Sequence, residues 1–213
     1  MDKKNLADYL QKNGVIQNPG IIEAFKRIDR ANFVRPNLKG EACGDYPLSI
    51  GFGQTISQPT TVAFMLELLE PKESDRILDL GSGSGWTTAL LAYIISHGKT
   101  ADSKSKNGYV YGVEKISELV KFGQENLINY PQLPADIRQA GGELGLPQKA
   151  PFDKILVSAS AEKLPEKLIN QLKIGGVMIV PIHNSIYKII KTSKDQFTKQ
   201  EYPGFVFVPL TNN

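Results

Sequence analysis

From residue 76 onward, short apolar runs alternate with segments long enough to be helices. The runs are RILDL (76–80), YVYGV (109–113), KILVS (154–158) and GVMIVPI (176–182), with segments 86–96, 116–129 and 165–172 between them. Runs this short and this apolar are strands buried on both faces, and strands separated by helices pair in parallel. After residue 182 the helical segments stop, and IYKIIKT (186–192) and GFVFVPL (204–210) read as two more strands joined by a loop. The expectation is an α/β fold with a mostly parallel, doubly wound sheet and an antiparallel C-terminal edge.

The first 70 residues follow another pattern. Residues 3–13 predict an amphipathic helix with Leu6, Tyr9 and Leu10 on one face and Gly14 as its stop. Asn18-Pro19 is a cap followed by a first-turn proline, and Ile21, Ile22, Phe25 and Ile28 recur at helical spacing behind it. Residues 32–57 show no period and contain Gly40, Gly44, Pro47, Gly51 and Gly53, which suggests a long loop or flap serving function. Gln58-Pro59 starts another helix, with Val62, Met65, Leu66 and Leu69 facing a core. The division is therefore 1–70 for N-terminal helices and flap, packed on an α/β part at 71–213, as effectively one domain. The polar stretch 97–107 (HGKTADSKSKN) reads as a surface insertion after the first crossover helix.

Composition removes several function classes. A hydrophobic share of 41% with 22% charged residues supports a folded core. A net charge of +3 is too mild to announce a nucleic-acid or membrane partner. One cysteine, Cys43, rules out an intrachain disulfide, and with only two histidines it leaves no set of ligands for zinc, so no metal is expected. Cys43 itself reads as a small buried hydrophobe. No apolar run approaches the roughly 20 residues of a membrane span, and no apolar stretch follows the basic N-terminus as in a secretory signal. A cytoplasmic chain is the expectation.

The densest local signal is Asp79-Leu80-Gly81-Ser82-Gly83-Ser84-Gly85-Trp86, where a buried strand meets three glycines and then a helix. Glycines let the backbone turn tightly and come close to a ligand, with N–H groups presented at the helix start. The spacing differs from the G-x-G-x-x-G of dinucleotide folds, and no Lys-Ser/Thr follows to clamp phosphate. An acid two residues before the first glycine suits a positively charged ligand. S-adenosylmethionine, with its ammonium and sulfonium, fits better than NAD. Glu114 ends the next strand, where an acid accepts hydrogen bonds from ribose hydroxyls. It lies 33 residues beyond Gly81, and the eleven residues 97–107 account for the excess over the usual interval. Upstream, Ser57 is either a helix cap or a functional hydroxyl. Pro59 disfavours helical angles at Gln58, which makes Gln58 the natural cap and leaves the Ser57 hydroxyl available.

Three segments, Asp45-Tyr46-Pro47-Leu48-Ser49-Ile50-Gly51, Gln54-Thr55-Ile56-Ser57-Gln58-Pro59 and the glycine loop, resemble protein-L-isoaspartate O-methyltransferases. So do Ala150-Pro151-Phe152-Asp153, the LINQLK run with Gly175-Gly176, and Phe207-Val208-Pro209-Leu210-Thr211, so the resemblance covers nearly the whole chain. It implies a Rossmann-like S-adenosylmethionine-dependent methyltransferase fold. It also implies methyl transfer to the α-carboxyl of L-isoaspartyl, or the β-carboxyl of D-aspartyl, residues in damaged proteins. S-adenosyl-L-homocysteine would be left behind, and the ester would close to a succinimide. The enzyme would be a monomer whose partners are proteins and peptides carrying isoaspartyl residues.

Carried onto this sequence, the resemblance makes Ser57 the catalytic serine. Gln54, Thr55, Ile56 and Ser57 would line the cofactor, together with Asp79, Gly81, Ser82, Gly83, Ser84 and Gly85 of the loop. Glu114 would hold the ribose, Gly142 and Glu143 would lie at the adenine, and Thr211 would close over the cofactor. Ile56, Ser57 and Val208 would contact substrate. One departure is Gly141, where relatives often carry an acid; Glu143 or the backbone would take its place. A nucleic-acid methyltransferase is disfavoured, because Val157-Ser158-Ala159-Ser160-Ala161 stands where an Asn/Asp-Pro-Pro-aromatic run would stack a flipped base. Methylation of an ordinary aspartate in one dedicated peptide, or a binding module built on the same scaffold, stays open.

Overall fold

A computed structural model describes residues 3–96 and 108–210. The insertion 97–107 and Thr211 lie outside the described residues. Helices α1 (Lys3–Lys12) and α2 (Pro19–Arg27) open the chain. The Asn18 side chain accepts hydrogen bonds from the Gly20 and Ile21 N–H groups at 2.8 and 3.3 Å, capping α2 as its sequence predicts. The buried face of α1 is Leu6, Ala7 and Leu10, whereas Tyr9 turns partly outward.

Residues 32–57, expected as an aperiodic loop, carry regular pieces too short to show a period. They hold the 3₁₀ turn Pro36–Glu41 and a hairpin of β1 (Leu48–Gly51) and β2 (Gln54–Ile56). The hairpin turns at Phe52 and Gly53, both with positive φ. Cys43, expected buried, is half-buried. Helix α3 (Pro59–Leu69) follows, with Val62, Met65, Leu66 and Leu69 all buried. Gln58 occupies the cap position but its side chain makes no capping bond. Asp45 supplies the cap from the flap instead, accepting from the Thr60 N–H at 2.8 Å and the Thr60 hydroxyl at 2.6 Å.

The α/β part runs β3 (Arg76–Leu80), α4 (Trp86–Ser96), β4 (Tyr109–Glu114), α5 (Ser117–Leu127), β5 (Ala135–Gln139) and β6 (Phe152–Val157). It ends with α6 (Glu166–Ile169), β7 (Leu172–Ile182), β8 (Ser185–Lys191) and β9 (Phe197–Pro203). The seven strands lie in the order β5-β4-β3-β6-β7-β8-β9. Pairing is parallel from β5 to β7 and antiparallel at β7–β8 and β8–β9. Side chains alternate between two apolar clusters: Ile77, Val110, Leu156 and Ile179 face helices α1 to α5, while Leu78, Tyr111, Ile155 and Met178 face the other way. That second face is covered by α6 and by loops. The helix expected over 165–172 is only the four residues of α6, because β7 begins at Leu172.

Two expectations about strands need correction. Strand β5 has no apolar run, since Ile137 is its only buried residue. The third strand of the antiparallel edge is β9, not 204–210. Strand β9 is exposed along most of its length, so its sequence carries no apolar signal. Within residues 204–210, Phe205 stacks on Phe64 at 5.2 Å and Leu210 packs on the second cluster, whereas Val206 is exposed. Their one ladder-like contact is an isolated bridge between Ser160 and Pro209. Among the described residues no helix is long and apolar enough to cross a membrane.

Because Asp45 is the only side chain among the described residues that caps α3, Asp45→Ala should lower stability by about 1 kcal/mol, the usual worth of a cap. Urea unfolding would check this, and Gln58→Ala should leave the midpoint unchanged.

Candidate active site

Strand β3 lies between β4 and β6: the chain runs outward from β3 through β4 to β5, then returns past β3 to β6. That reversal opens a crevice outside the carboxyl ends of the strands, the usual ligand site of open α/β sheets. A cavity of about 810 Å³ occupies it. Gln54, Thr55, Ile56 and Ser57 enter its wall from the flap, Gly81 to Ser84 from the glycine loop, and Glu114 from the end of β4. Gly142 and Glu143 line it beyond β5, and Val208 lines it from the C-terminal segment. Asp79 and Gly85 do not form its wall. Asp79 lies one residue below the mouth of β3, completely buried.

Gly81, Gly83 and Gly85 have φ of 78°, 53° and 88°, in the region that favours glycine. A Cβ at Gly85 would also stand 2.8 Å from the Ile137 side chain. The Gly81 and Ser82 N–H groups donate to the Val113 carbonyl at 2.8 and 3.2 Å, which ties the loop to the end of β4. Glu114 is oriented by three backbone donors. Its Oε2 accepts from the Gly83 N–H at 3.0 Å, and its Oε1 accepts from Lys115 and Ile116 at 2.7 and 2.9 Å. A carboxylate held this way keeps lone pairs for a further donor.

Asp79 is less satisfied. Its Oδ2 accepts from the hydroxyls of Thr88 at 2.6 Å and Thr87 at 2.8 Å, but its Oδ1 has no partner among the described residues. Burial pushes its carboxyl up to about 6; the two threonine hydroxyls oppose that shift and nearby Glu114 adds to it. The Ser82 hydroxyl is likewise buried and without a partner among the described residues.

On the opposite wall, Ser57 is half-buried, and its hydroxyl has no hydrogen-bond partner among the described residues. Its carbonyl accepts from Arg30 at 3.0 Å. The loop after β6 closes the cavity with the C-terminal segment: Ser160 N–H donates to Val208 at 2.8 Å and Leu210 N–H to Ser160 at 2.7 Å.

A family model described as protein-L-isoaspartate(D-aspartate) O-methyltransferase matches residues 1–213. The chain belongs to this family. An Ignicoccus hospitalis protein-L-isoaspartate O-methyltransferase is 37% identical over 213 residues, covering 98% of this chain and 96% of its own. The Thermococcus onnurineus protein of that name is 40% identical over 208 residues, 94% of this chain and 89% of its own. A Plasmodium falciparum protein-L-isoaspartate O-methyltransferase, solved in complex with S-adenosyl-L-homocysteine, superposes with a TM-score of 0.87 at 29% identity, with both chains fully covered.

The chain is thus an enzyme with the fold of S-adenosylmethionine-dependent methyltransferases, and its reaction is O-methylation of isoaspartyl residues. The residues present fit that donor. S-adenosylmethionine carries an ammonium, and Oδ1 of Asp79, which precedes the Leu80–Ser82 stretch of the wall without being part of it, is a carboxylate oxygen with no donor among the described residues. The donor's ribose hydroxyls need an acceptor, and Glu114 offers oriented lone pairs at the cavity wall. Around Gly141 and Gly142 a Cβ would meet nothing within 4 Å, so this rim offers backbone and the exposed Glu143.

Sequence reasoning missed Thr87 and Thr88, the loop after β6, and Arg30. The two threonines could have been found, since hydroxyls one turn past a glycine loop face back toward the acid that precedes it. Arg30, beside Asp29, stands where the family resemblance begins, but nothing in the sequence shows that its side chain is buried beneath the flap.

The raised Asp79 carboxyl fixes a sign. Its folded value near 6 exceeds its ordinary 3.8, so its contribution to stability is greatest below pH 4 and is lost as pH rises through 6. Asp79→Asn should therefore raise the melting temperature of the ligand-free protein at pH 7, by an amount equivalent to about 1–3 kcal/mol. The same variant should bind S-adenosylmethionine more weakly. In the unaltered protein, calorimetric affinity should fall as pH drops below 6, because the protonated acid no longer attracts the ammonium.

Proposed function

We propose that Ser57 is the residue that orients the substrate carboxylate, and that the acids of the glycine loop and of β4 hold the donor. The observation carrying this reading is a hydroxyl without a partner among the described residues, in the same cavity as Glu114 and the glycine loop. A side-chain carboxyl has an ordinary pKa near 4, so the substrate is already ionised at neutral pH. No general base is then asked of the chain. Bound S-adenosylmethionine supplies a methyl group activated by its sulfonium. What the protein adds is placement, and orienting two reactants can supply roughly 7–11 kcal/mol.

Ser57 donates its hydroxyl hydrogen to one carboxylate oxygen and so sets the direction of the other. Asp79 and Ser82 hold the amino-acid end of the donor, and Glu114 holds its ribose. Gln54, Thr55 and Ile56 cover the donor from the flap, while Gly142 and Glu143 border its adenine. Ile56 and Val208 present backbone to an extended substrate chain, which gives grip with little side-chain selectivity. Both L-isoaspartyl and D-aspartyl residues fit such a grip, and the resulting ester closes to a succinimide without help. We take residues 1–70 and 71–213 to act as one unit in a monomeric, cytoplasmic enzyme. Sedimentation and cell fractionation test those two points.

Ser57→Ala should lower turnover of an isoaspartyl peptide by about 10- to 100-fold, as expected when an orienting contact is removed. Calorimetry should find its affinity for S-adenosylmethionine unchanged. Equal turnover by the variant and the parent would end the assignment, and so would equal methylation of the matched aspartyl peptide by the unaltered protein.

A further inference from the structure

We infer that Arg30 is the positioning residue of this site, fixing the flap that carries Ser57 against the helix that follows the glycine loop. The inference rests on the reading of Ser57 given above. Arg30 is 2% exposed, one of the largest fully buried side chains. Its guanidinium donates to five backbone carbonyls that span the flap. Nη1 reaches Ala42 and Gly44 at 3.0 and 3.1 Å, and Nη2 reaches Tyr46, Ile56 and Ser57 at 3.0, 3.3 and 3.0 Å. The same group lies over the ring of Trp86, 5.3 Å from its centroid. Trp86 is the first residue of α4, directly after Gly85. One planar cation thus touches both halves of the cavity: the segment that presents the serine and the helix that begins where the glycine loop ends.

Burial lowers the Arg30 pKa to about 10, and the neighbouring Asp45 charge opposes the shift. The group therefore stays protonated at neutral pH and keeps all its donors. Lysine could not replace it. An ammonium has three tetrahedral donors and no flat face, whereas five carbonyls and an indole here meet a planar fork. The Ile56 and Ser57 carbonyls flank the very residue whose hydroxyl would aim the substrate, so a shift of the fork moves that hydroxyl. A misplacement of 1 Å at a reacting centre can cost about 10²-fold in rate.

The protein contains one tryptophan, so its emission reports Trp86 alone. Arg30→Lys should shift that emission and lower kcat with an isoaspartyl peptide by about 10²-fold. Its affinity for S-adenosylmethionine by calorimetry should stay within a few-fold of the parent. Added to Ser57→Ala, it should cause little further loss, because both changes disable the same contact. Losses that multiply in the double variant would overturn the inference. So would an Arg30→Lys enzyme with parental turnover, or one that no longer binds S-adenosylmethionine, since a flap-positioning role leaves the cofactor loop standing. If Ser57→Ala itself turned over normally, both readings would fall; a damaged Ser57→Ala beside an intact Arg30→Lys would remove the present one alone.

Discussion

Strand β3 is hydrogen-bonded in parallel to β4 on one side and β6 on the other, and this double pairing sets where chemistry can occur. A strand paired on both edges has no backbone polar atom to offer along its length. Only its end is open. The carboxyl ends of β3, β4, β5 and β6 therefore share one rim, and the chain must turn away from β3 within a few residues to begin α4. The three positive-φ glycines make that turn. They also let the Gly83 N–H reach Glu114 on the neighbouring strand. The glycine loop and Glu114 are thus locked into one unit.

The distribution of unsatisfied polar atoms marks the same place. Away from it, among the described residues, Gln171 and Lys191 show buried polar groups that are well supplied with partners. Gln171 accepts from the Leu146 N–H and donates to the Leu144 and Lys167 carbonyls. Lys191 donates to the carbonyls of Ile169 and Leu172. Among the described residues, the buried side-chain atoms left without a partner are Arg30 Nε, Asp79 Oδ1, Ser82 Oγ, Trp86 Nε1 and Asp136 Oδ1. All but the last belong to the glycine loop, its strand and helix, or the arginine stacked there. Each such atom costs roughly 1–3 kcal/mol when buried. A fold that satisfies Gln171 and Lys191 so thoroughly tolerates that cost at one rim, which is the expected signature of a site completed by its ligand.

The legible parts of the molecule were those where one residue type does one local job. Asn18 before Pro19 marked a capped helix, and the apolar runs within β3, β4, β6 and β7 marked a parallel sheet. The position of Glu114 at the cavity wall was readable because the glycine loop gave it a frame. What escaped was set by partners distant in sequence. The cap of α3 is Asp45, fifteen residues upstream, because the flap folds back over the helix start. Strand β9 was missed because an edge strand facing water needs no apolar residues. Residues 204–210 were read as a strand because they are apolar, but Phe205 and Leu210 are half-buried through side-chain packing on Phe64 and the second cluster, and Val206 is exposed. Hydrophobicity reports burial, and it reports pairing only when the two coincide.

The flap poses the opposite problem from the sheet. Its hairpin is four and three residues long, so most of its carbonyls have no ladder to join. An irregular backbone brought into the core must find donors elsewhere, and here they are arginines from the N-terminal region. Arg30 takes five carbonyls, while Arg35 Nε donates to Ile50 at 2.8 Å and its guanidinium lies 4.2 Å from the centre of the Phe122 ring on α5. Hydrogen bonds from a charged donor are roughly twice as strong as neutral ones, and burial of Arg30 removes the water that would compete for them. The flap is therefore held in register with the sheet through Trp86 of α4 and Phe122 of α5, although it pairs with no strand of it. On this account the turns after α2 do more than connect: they carry the two cations that, with the Asp45–Thr60 bonds and the buried Leu48, Ile50 and Ile56, hold the flap at the mouth of the cavity.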